Sequence, residues 1–433
     1  MYRICGTAEY DIGMRFYLSS ADGTGGRLKS EPEDFIVREI SKRPEERKDG
    51  RFIIADVTTR NWETNRLVRM LSRTMGISRE RVGFAGTKDK RAVTTQLMSF
   101  EAPDDAIQKV MLKDISINGA YRSSRNIQIG DLIGNEFKIS VKECAIPAKD
   151  IQRSIDSVSA DIKALGGFPN YFGVQRFGTT RPITHLVGEN IIRGNFRKAV
   201  DIYLSQVSEY EAQDTIDART MLKDRSSMKD ALKIMPKTMS FEKIMAEHLI
   251  KRPDDDIGAI SQLPPNLQMM FTHAYQSYLF NVMLSERMNA GIPLNGPVEG
   301  DVIIPTDANG TPFHERPVIV TSKNIDLVER QLRSGKAFIT ITLFGIDSII
   351  SGGEMGDIEN KVISAENLTN NDFMVPGLPH CSSKGSRREI ICPVGNIEHN
   401  MNENGYELMF SLPKGNYATC LLREFMKSEM TSY

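Results

Sequence analysis

The spacing of apolar and polar residues along the chain changes several times, and each change marks an element. FIVREI and RFIIADVTTR have the β-branched density of strands and are separated by the charged turn SKRPEERKDG. From about Trp62 to Met75 the period is helical: Leu67, Val68, Leu71 and Met75 occupy one side, while Arg66, Arg69 and Arg73 fall together on the other. Such a helix can dock on a sheet and show a basic stripe outward. VGFAGTKDKRAVTTQLMSF then runs from a glycine-containing turn through Thr-Lys-Asp-Lys into a β-branched stretch, which places its charged residues in a loop at the mouth of a packed element. YRSSRNIQIGDLIGNEFKISVKE predicts two strands around a turn. IQRSIDSVSADIKALGG predicts a helix stopped by the glycine pair, with Ile151, Ile155, Val158 and Ile162 at helical spacing.

GGFPNYFGVQRFGTTRPITH follows, a cluster of aromatics, glycines, amides and arginine that does not resemble core. From roughly Val187 to Leu378 the composition alters. Charge-rich helical segments lead to a helix centred on MMFTHAYQSYLFNVMLSERM, and the strand signals GDVIIPTD, RPVIVTSK and FITITLFG come after it, between turns rich in Pro, Gly and Asn. This is enough chain for an inserted domain. The last portion returns to strand patterning and finishes in a helix after Lys414, Gly415 and Asn416, and no repeat or low-complexity tract interrupts the whole.

A chain of 433 residues exceeds the usual size of one hydrophobic core, so two domains are expected. Its 40% hydrophobic and 26% charged residues are ordinary for a folded chain. No stretch approaches the ~20 apolar residues needed to cross a bilayer, and the N-terminus lacks the basic start and apolar run of a secretory signal, so a cytoplasmic protein is expected. The five cysteines, Cys5, Cys144, Cys381, Cys392 and Cys420, are scattered and fit reduced thiols; the Cys381 and Cys392 spacing matches no common zinc pattern. The net charge of −1 gives no global sign of a nucleic-acid partner. The local distribution does, since Arg60 to Arg91 holds nine basic against three acidic residues.

The spacing in GTKDKRA excludes a nucleotide-triphosphatase loop, because Gly83 and Gly86 precede Thr-Lys-Asp and no GxxxxGK[ST] or GxGxxG exists. Asp89, set among Lys88, Lys90 and Arg91, has two physical interpretations: a loop salt-bridge partner or helix cap, or a carboxylate kept ionised by neighbouring cations and able to act as a nucleophile. In NYFGVQRFG, Tyr171, Phe172 and Phe177 either fill an interdomain core or offer a face to an unstacked base, with Asn170 or Gln175 supplying amide hydrogen bonds and Arg176 available to phosphate. In FTHAYQSYLFN, His273, Gln276 and Ser277 share a helix surface, and His273 is either a packed helix residue or a direct participant. No HExxH, serine elbow or Ser/His/Asp arrangement is present.

EPEDFIVREI at 31–40, VGFAGTKDKRAVTTQ at 82–96, NYFGVQRFG at 170–178, FTHAYQSYLFN at 271–281 and LPKGNYATCLLREFM at 412–426 together resemble the TruD family of tRNA pseudouridine synthases. The motifs span nearly the whole chain, and the long middle portion resembles the archaeal and eukaryotic branch. The resemblance implies an α/β (α+β) fold: a pseudouridine-synthase catalytic core with an antiparallel-rich mixed sheet, interrupted by an inserted α/β TRUD domain. On that pattern the core is residues 1–184 with 385–433 and the insertion is 185–384.

It further implies that Asp89 is the nucleophile, that Asn170 and Phe172 line the active site, and that Lys88 and Arg176 bind substrate. Arg27, Lys29, Arg66, Arg69, Arg73, Lys384, Arg387 and Arg388 are the wider candidates for RNA contact; for a cation beside Asp89, Lys88 is a candidate, with Lys29 and Arg27 as alternatives. The implied partner is tRNA, with uridine 13 of the D-arm as the usual target. No cofactor, metal, membrane or obligate protein partner is expected, because the isomerisation adds and removes nothing. The competing expectation is an RNA-binding or RNA-chaperone protein that keeps a synthase fold without turnover.

Overall fold

A computed structural model describes residues 2–88, 91–307, 310–403 and 405–433. Asp89 and Lys90 lie outside the described residues. The chain divides into two compact units, one of residues 21–168, 392–428 and 432–433, the other of residues 1–20, 169–391 and 429–431. The first is therefore discontinuous in sequence, and a long stretch of the second separates its two main segments.

The discontinuous unit is built on a nine-stranded sheet. Its strands are β1 (Gly25–Arg27), β2 (Phe35–Ser41), β3 (Phe52–Arg60), β4 (Val82–Phe84), β5 (Val93–Phe100), β6 (Ile115–Ser123), β7 (Leu132–Cys144), β8 (Glu398–Asn402) and β9 (Gly405–Pro413). The order is β8-β9-β7-β2-β5-β3-β6, with β1 also on β7 and β4 on β5. Only β2 and β5 pair in parallel within this sheet, Val37 opposite Thr94. The strands predicted from FIVREI, RFIIADVTTR and the second half of YRSSRNIQIGDLIGNEFKISVKE are present, while its first half supplies only Tyr121–Ser123, the end of a strand that begins at Ile115.

Alternation along these strands assigns the faces. Phe35 and Val37 of β2 share a face with Phe137 of β7 and Phe410 of β9, and the rings of Phe137 and Phe410 stack at 5.3 Å. The helix α1 (Thr64–Met75) packs Leu67, Val68, Leu71 and Met75 on Ile53, Ala55, Val57, Met98 and Phe100, each large side chain contributing about 1.5–3 kcal/mol by leaving water. Glu63 caps it, accepting from the Asn65 and Arg66 N–H groups, and Gly76 ends it in the left-handed region at φ 69°. The helix α2 (Ala148–Leu165) stops at Gly166, φ 83°, as the glycine pair predicts, and α3 (Ala418–Met426) follows the Lys-Gly-Asn turn.

The second unit is richer in helix. The helix Pro265–Asn289 runs through its interior, and Thr184–Ile192 lies against it so closely that a Cβ on Gly188 would meet the Phe271 carbonyl at 2.0 Å. A four-stranded sheet has the order Val318–Ile319, Val302–Pro305, Ala337–Leu343, Ser386–Glu389, every pair antiparallel. No helix among the described residues is long and apolar enough to cross a membrane.

Candidate functional site

Within the second unit, the segment after Gly167 turns inward. Tyr171 and Phe177 are almost fully buried, so this cluster is interior despite its loop-like composition. Its polar groups have internal partners that the composition does not reveal: the Tyr171 hydroxyl meets the Ser285 hydroxyl at 2.9 Å, and Thr184 donates to the Phe177 carbonyl at 2.7 Å.

Phe172, 7% exposed, is fixed by its backbone. Its N–H donates to Asn281 Oδ1 at 2.8 Å, and Asn281 Nδ2 donates back to the Phe172 carbonyl at 3.0 Å and to that of Ile12 at 3.1 Å. Asn281 closes the FTHAYQSYLFN motif, so one helix side chain sets the position of the ring. Phe280 meets that ring edge-on at 5.5 Å, the Arg388 guanidinium carbon lies 4.2 Å from its centroid, and that of Arg176 lies 5.6 Å away. Arg388 is held in turn by Asn170: Nη2 donates to Asn170 Oδ1 at 2.7 Å, while Asn170 Nδ2 donates to the Glu389 carbonyl at 3.0 Å. Asn170 thus orients a cation over the aromatic ring, an arrangement that raises positive potential beside a flat π surface. Arg176 Nε donates to the Ser277 hydroxyl at 3.1 Å, and burial together with the Arg176 charge lowers the pKa of His273. Changing Asn281 to Leu, similar in size, leaves three buried backbone groups without this partner. A loss of roughly 3 kcal/mol in urea unfolding is expected.

The discontinuous unit carries most of the other described candidates, while Lys384 and Arg387 belong to the second. Gly83 lets β4 lie against Ile127 and Ser99, since a Cβ there would meet the Ile127 carbonyl and the Ser99 hydroxyl at 2.3 Å. The chain then reaches Lys88, whose ammonium is 2.6 Å from Glu39 Oε2. Lys29 has a left-handed backbone, φ 57°, and its ammonium lies 4.3 Å from the centroid of the Phe35 ring. Arg66, Arg69 and Arg73 are exposed along α1 with no ion pair to one another's neighbours among the described residues, and Arg66 stacks on Trp62 at 4.7 Å. Arg27 and Lys384 are exposed. Arg387 is instead an interior residue, corrected here from a surface candidate: it bonds Thr340, Ser351 and Glu359, so its guanidinium is consumed inside its own unit. Alternation along Ser386–Glu389 sends Arg387 and Arg388 to opposite faces, which is why adjacent arginines differ in this way.

In the same unit, His185 is buried between Phe177, edge-on at 5.3 Å, and Tyr278, stacked at 5.3 Å, and its Nδ1 has no hydrogen-bond partner among the described residues. Burial lowers its pKa from 6.5 to about 4. The unfolded chain therefore binds the proton first, and this contribution to stability, complete above pH 6.5, declines as pH falls toward 4. The expected loss is about 2 kcal/mol by pH 5. The unfolding free energy of wild type, from urea titrations at pH 7.5 and 5, should fall by that amount relative to His185→Phe.

An antiparallel-rich sheet core interrupted in sequence by a second α/β unit defines a two-part α/β protein. Residues 11–425 match the family described as tRNA pseudouridine synthase D (TruD). The chain is 41% identical over 426 residues to a probable tRNA pseudouridine synthase D of Methanosarcina mazei, covering 97% of each chain. The corresponding protein of Methanococcoides burtonii is 42% identical over 428 residues, again covering 97% of each. A crystal structure of the Methanosarcina mazei TruD protein superposes with a TM-score of 0.88 at 40% identity, covering 99% of this chain and 100% of that one. The chain belongs to the TruD family of pseudouridine synthases, and its fold is the mixed α/β, antiparallel-rich fold expected from the sequence.

Glu39, which meets Lys88, and Asn281, which fixes Phe172, are not singled out by sequence reasoning, although they stand inside EPEDFIVREI and FTHAYQSYLFN. Position within a family motif is the signal that marks them; residue type alone does not.

Proposed function

We propose that this protein converts uridine 13 of tRNA to pseudouridine, with Asp89 as the reacting carboxylate and no cofactor. The observation that supports this most is family membership across residues 11–425, with the G-T-K-D sequence intact at 86–89. Uridine is flipped out of the folded RNA before reaction. Asp89 then acts on the ribose, either by attack at C1′ or by removal of the C2′ proton on a glycal route. In both, the C1′–N1 electron pair leaves with the uracil, the base turns, C5 bonds to C1′ as the carboxylate leaves that carbon or the C2′ proton is returned, and the C5 proton is lost as N1 gains one. Phe172 stacks on or beside the uracil, and Arg388 and Arg176 bring positive charge to its surroundings.

Arg66, Arg69, Arg73, Arg27 and Lys384 supply phosphate contacts, which position RNA without selecting its sequence. The inserted segment contributes shape recognition of the folded tRNA. Site-resolved pseudouridine mapping of unmodified tRNA incubated with the protein alone is expected to show conversion at position 13. Conversion at another position would overturn the site assignment, and tRNA binding without any conversion would favour RNA binding without turnover.

A further inference from the structure

Lys88 stands directly before Asp89 in the chain, and within its own unit it is tied down at both ends. Its backbone N–H donates to the Thr64 hydroxyl at 2.9 Å, at the first residue of α1. Its ammonium lies 2.6 Å from the Glu39 carboxylate of β2, with the two side chains 6% and 1% exposed. Gly86 belongs to the same arrangement, since a Cβ there would sit 3.2 Å from Leu132 and 3.8 Å from Lys88 Nζ. Segments distant in sequence, FIVREI, the start of α1 and GTKD, thus converge on one lysine.

Stability alone does not account for such a pair. Desolvating two charges costs about what their attraction returns, and apolar replacements of similar volume are often neutral or stabilising. Enclosure does confine the lysine: its ammonium lies against one buried carboxylate as a charge contact without hydrogen-bond geometry, and a side chain that otherwise keeps up to about 2 kcal/mol of rotamer freedom is restricted there. We infer that Glu39 is a positioning residue for the reaction, holding Lys88 so that, with Thr64, the chain is fixed one peptide unit before the reacting carboxylate. The inference rests on the assignment of Asp89 to that role. Consecutive Cα atoms are about 3.8 Å apart, so an ångström of freedom at Lys88 passes to its neighbour, and an error of that size costs on the order of 100-fold in rate. The commitment of Lys88 to Glu39 also means that its charge is neutralised locally.

Three full-length variants test this: Glu39→Gln, Lys88→Met and the double Glu39→Leu/Lys88→Met, each measured for melting temperature, tRNA affinity and single-turnover pseudouridine formation. Glu39→Gln is expected to lose about 100-fold in rate with affinity within about threefold of wild type. The double variant, its site refilled by apolar groups, should melt no lower than wild type and be equally slow. Wild-type rate in the double variant overturns the inference. So do rates that recover as the assay is cooled well below melting, and so does failure of all three variants to fold, because each assigns the pair to stability alone. Wild type and Asp89→Ala run alongside: no product from wild type, or undiminished product from Asp89→Ala, removes the parent assignment. A fast Glu39→Gln enzyme beside an inactive Asp89→Ala enzyme removes only the positioning role.

Discussion

The Asp89→Ala protein is expected to bind unmodified tRNA within about threefold of wild type and to form pseudouridine more slowly by a factor on the order of 10⁴ or more. The asymmetry follows from where each function resides. Affinity for a folded RNA is spread over many phosphate contacts, and the proposed ones include Arg66, Arg69 and Arg73, which are exposed along α1. In the proposed reaction isomerisation passes through one carboxylate, whether it bonds to C1′ or takes the C2′ proton, and alanine can do neither. Asp89→Asn, nearly the same shape, should be just as inactive, since the negative charge and the reacting lone pair are what the step uses. Site-resolved mapping under single-turnover conditions, with filter binding of the same tRNA, measures both quantities. Activity in either variant within tenfold of wild type, a deficit worth only about 1.4 kcal/mol, would place the chemistry on another residue.

Elements with strong periodicity were legible from the sequence alone. The α1 arginine stripe, the glycine stop of α2 and the strands of the large sheet follow from local spacing, because burial of one face imposes it. The NYFGVQRFG segment was legible only as two alternatives, aromatics filling a core or a face for an unstacked base. Its Gly, Asn, Gln and Arg content has the composition of a surface loop, yet Tyr171 and Phe177 are interior because Ser285 and His185, more than 100 residues and 8 residues away respectively, satisfy or cover them. Long-range partnership leaves no local trace. The same holds for Lys88 and Glu39, whose pairing requires that β2 and the loop before β5 meet, and for Arg387 and Arg388, adjacent in sequence but committed to Glu359 and Asn170 respectively. The roles of Asp89, Asn170 and Phe172 were reached through family motifs. Their physical surroundings could not have been derived from composition, since an acidic residue among cations is equally a salt-bridge partner.

Asp301→Ala should be the most destabilising single change in the second unit, at about 3–5 kcal/mol. Asp301 and Arg287 are fully buried, with Arg287 Nη1 and Nη2 donating to the two carboxylate oxygens at 2.6 and 2.9 Å. Asp301 also accepts from the Val298 N–H at 3.0 Å, and Arg287 donates to the Pro293 carbonyl from Nε and Nη2, so one pair of side chains knits the end of the long helix to the turn that leads into Val302–Pro305. Removing the carboxylate leaves a guanidinium without its counter-charge in a site that water does not reach, and the cost is that of an uncompensated buried charge more than of one lost contact. For a unit of this size the melting transition should fall by roughly 10 °C. Asp301→Asn retains one acceptor and should fall between alanine and wild type. A double change of Asp301→Leu with Arg287→Met removes both charges together and is expected to recover most of the loss, because no buried ion then lacks a partner. Differential scanning calorimetry of the four proteins decides it: a double variant as unstable as Asp301→Ala would show that the two hydrogen-bonded turns, and not the unpaired charge, carry the energy.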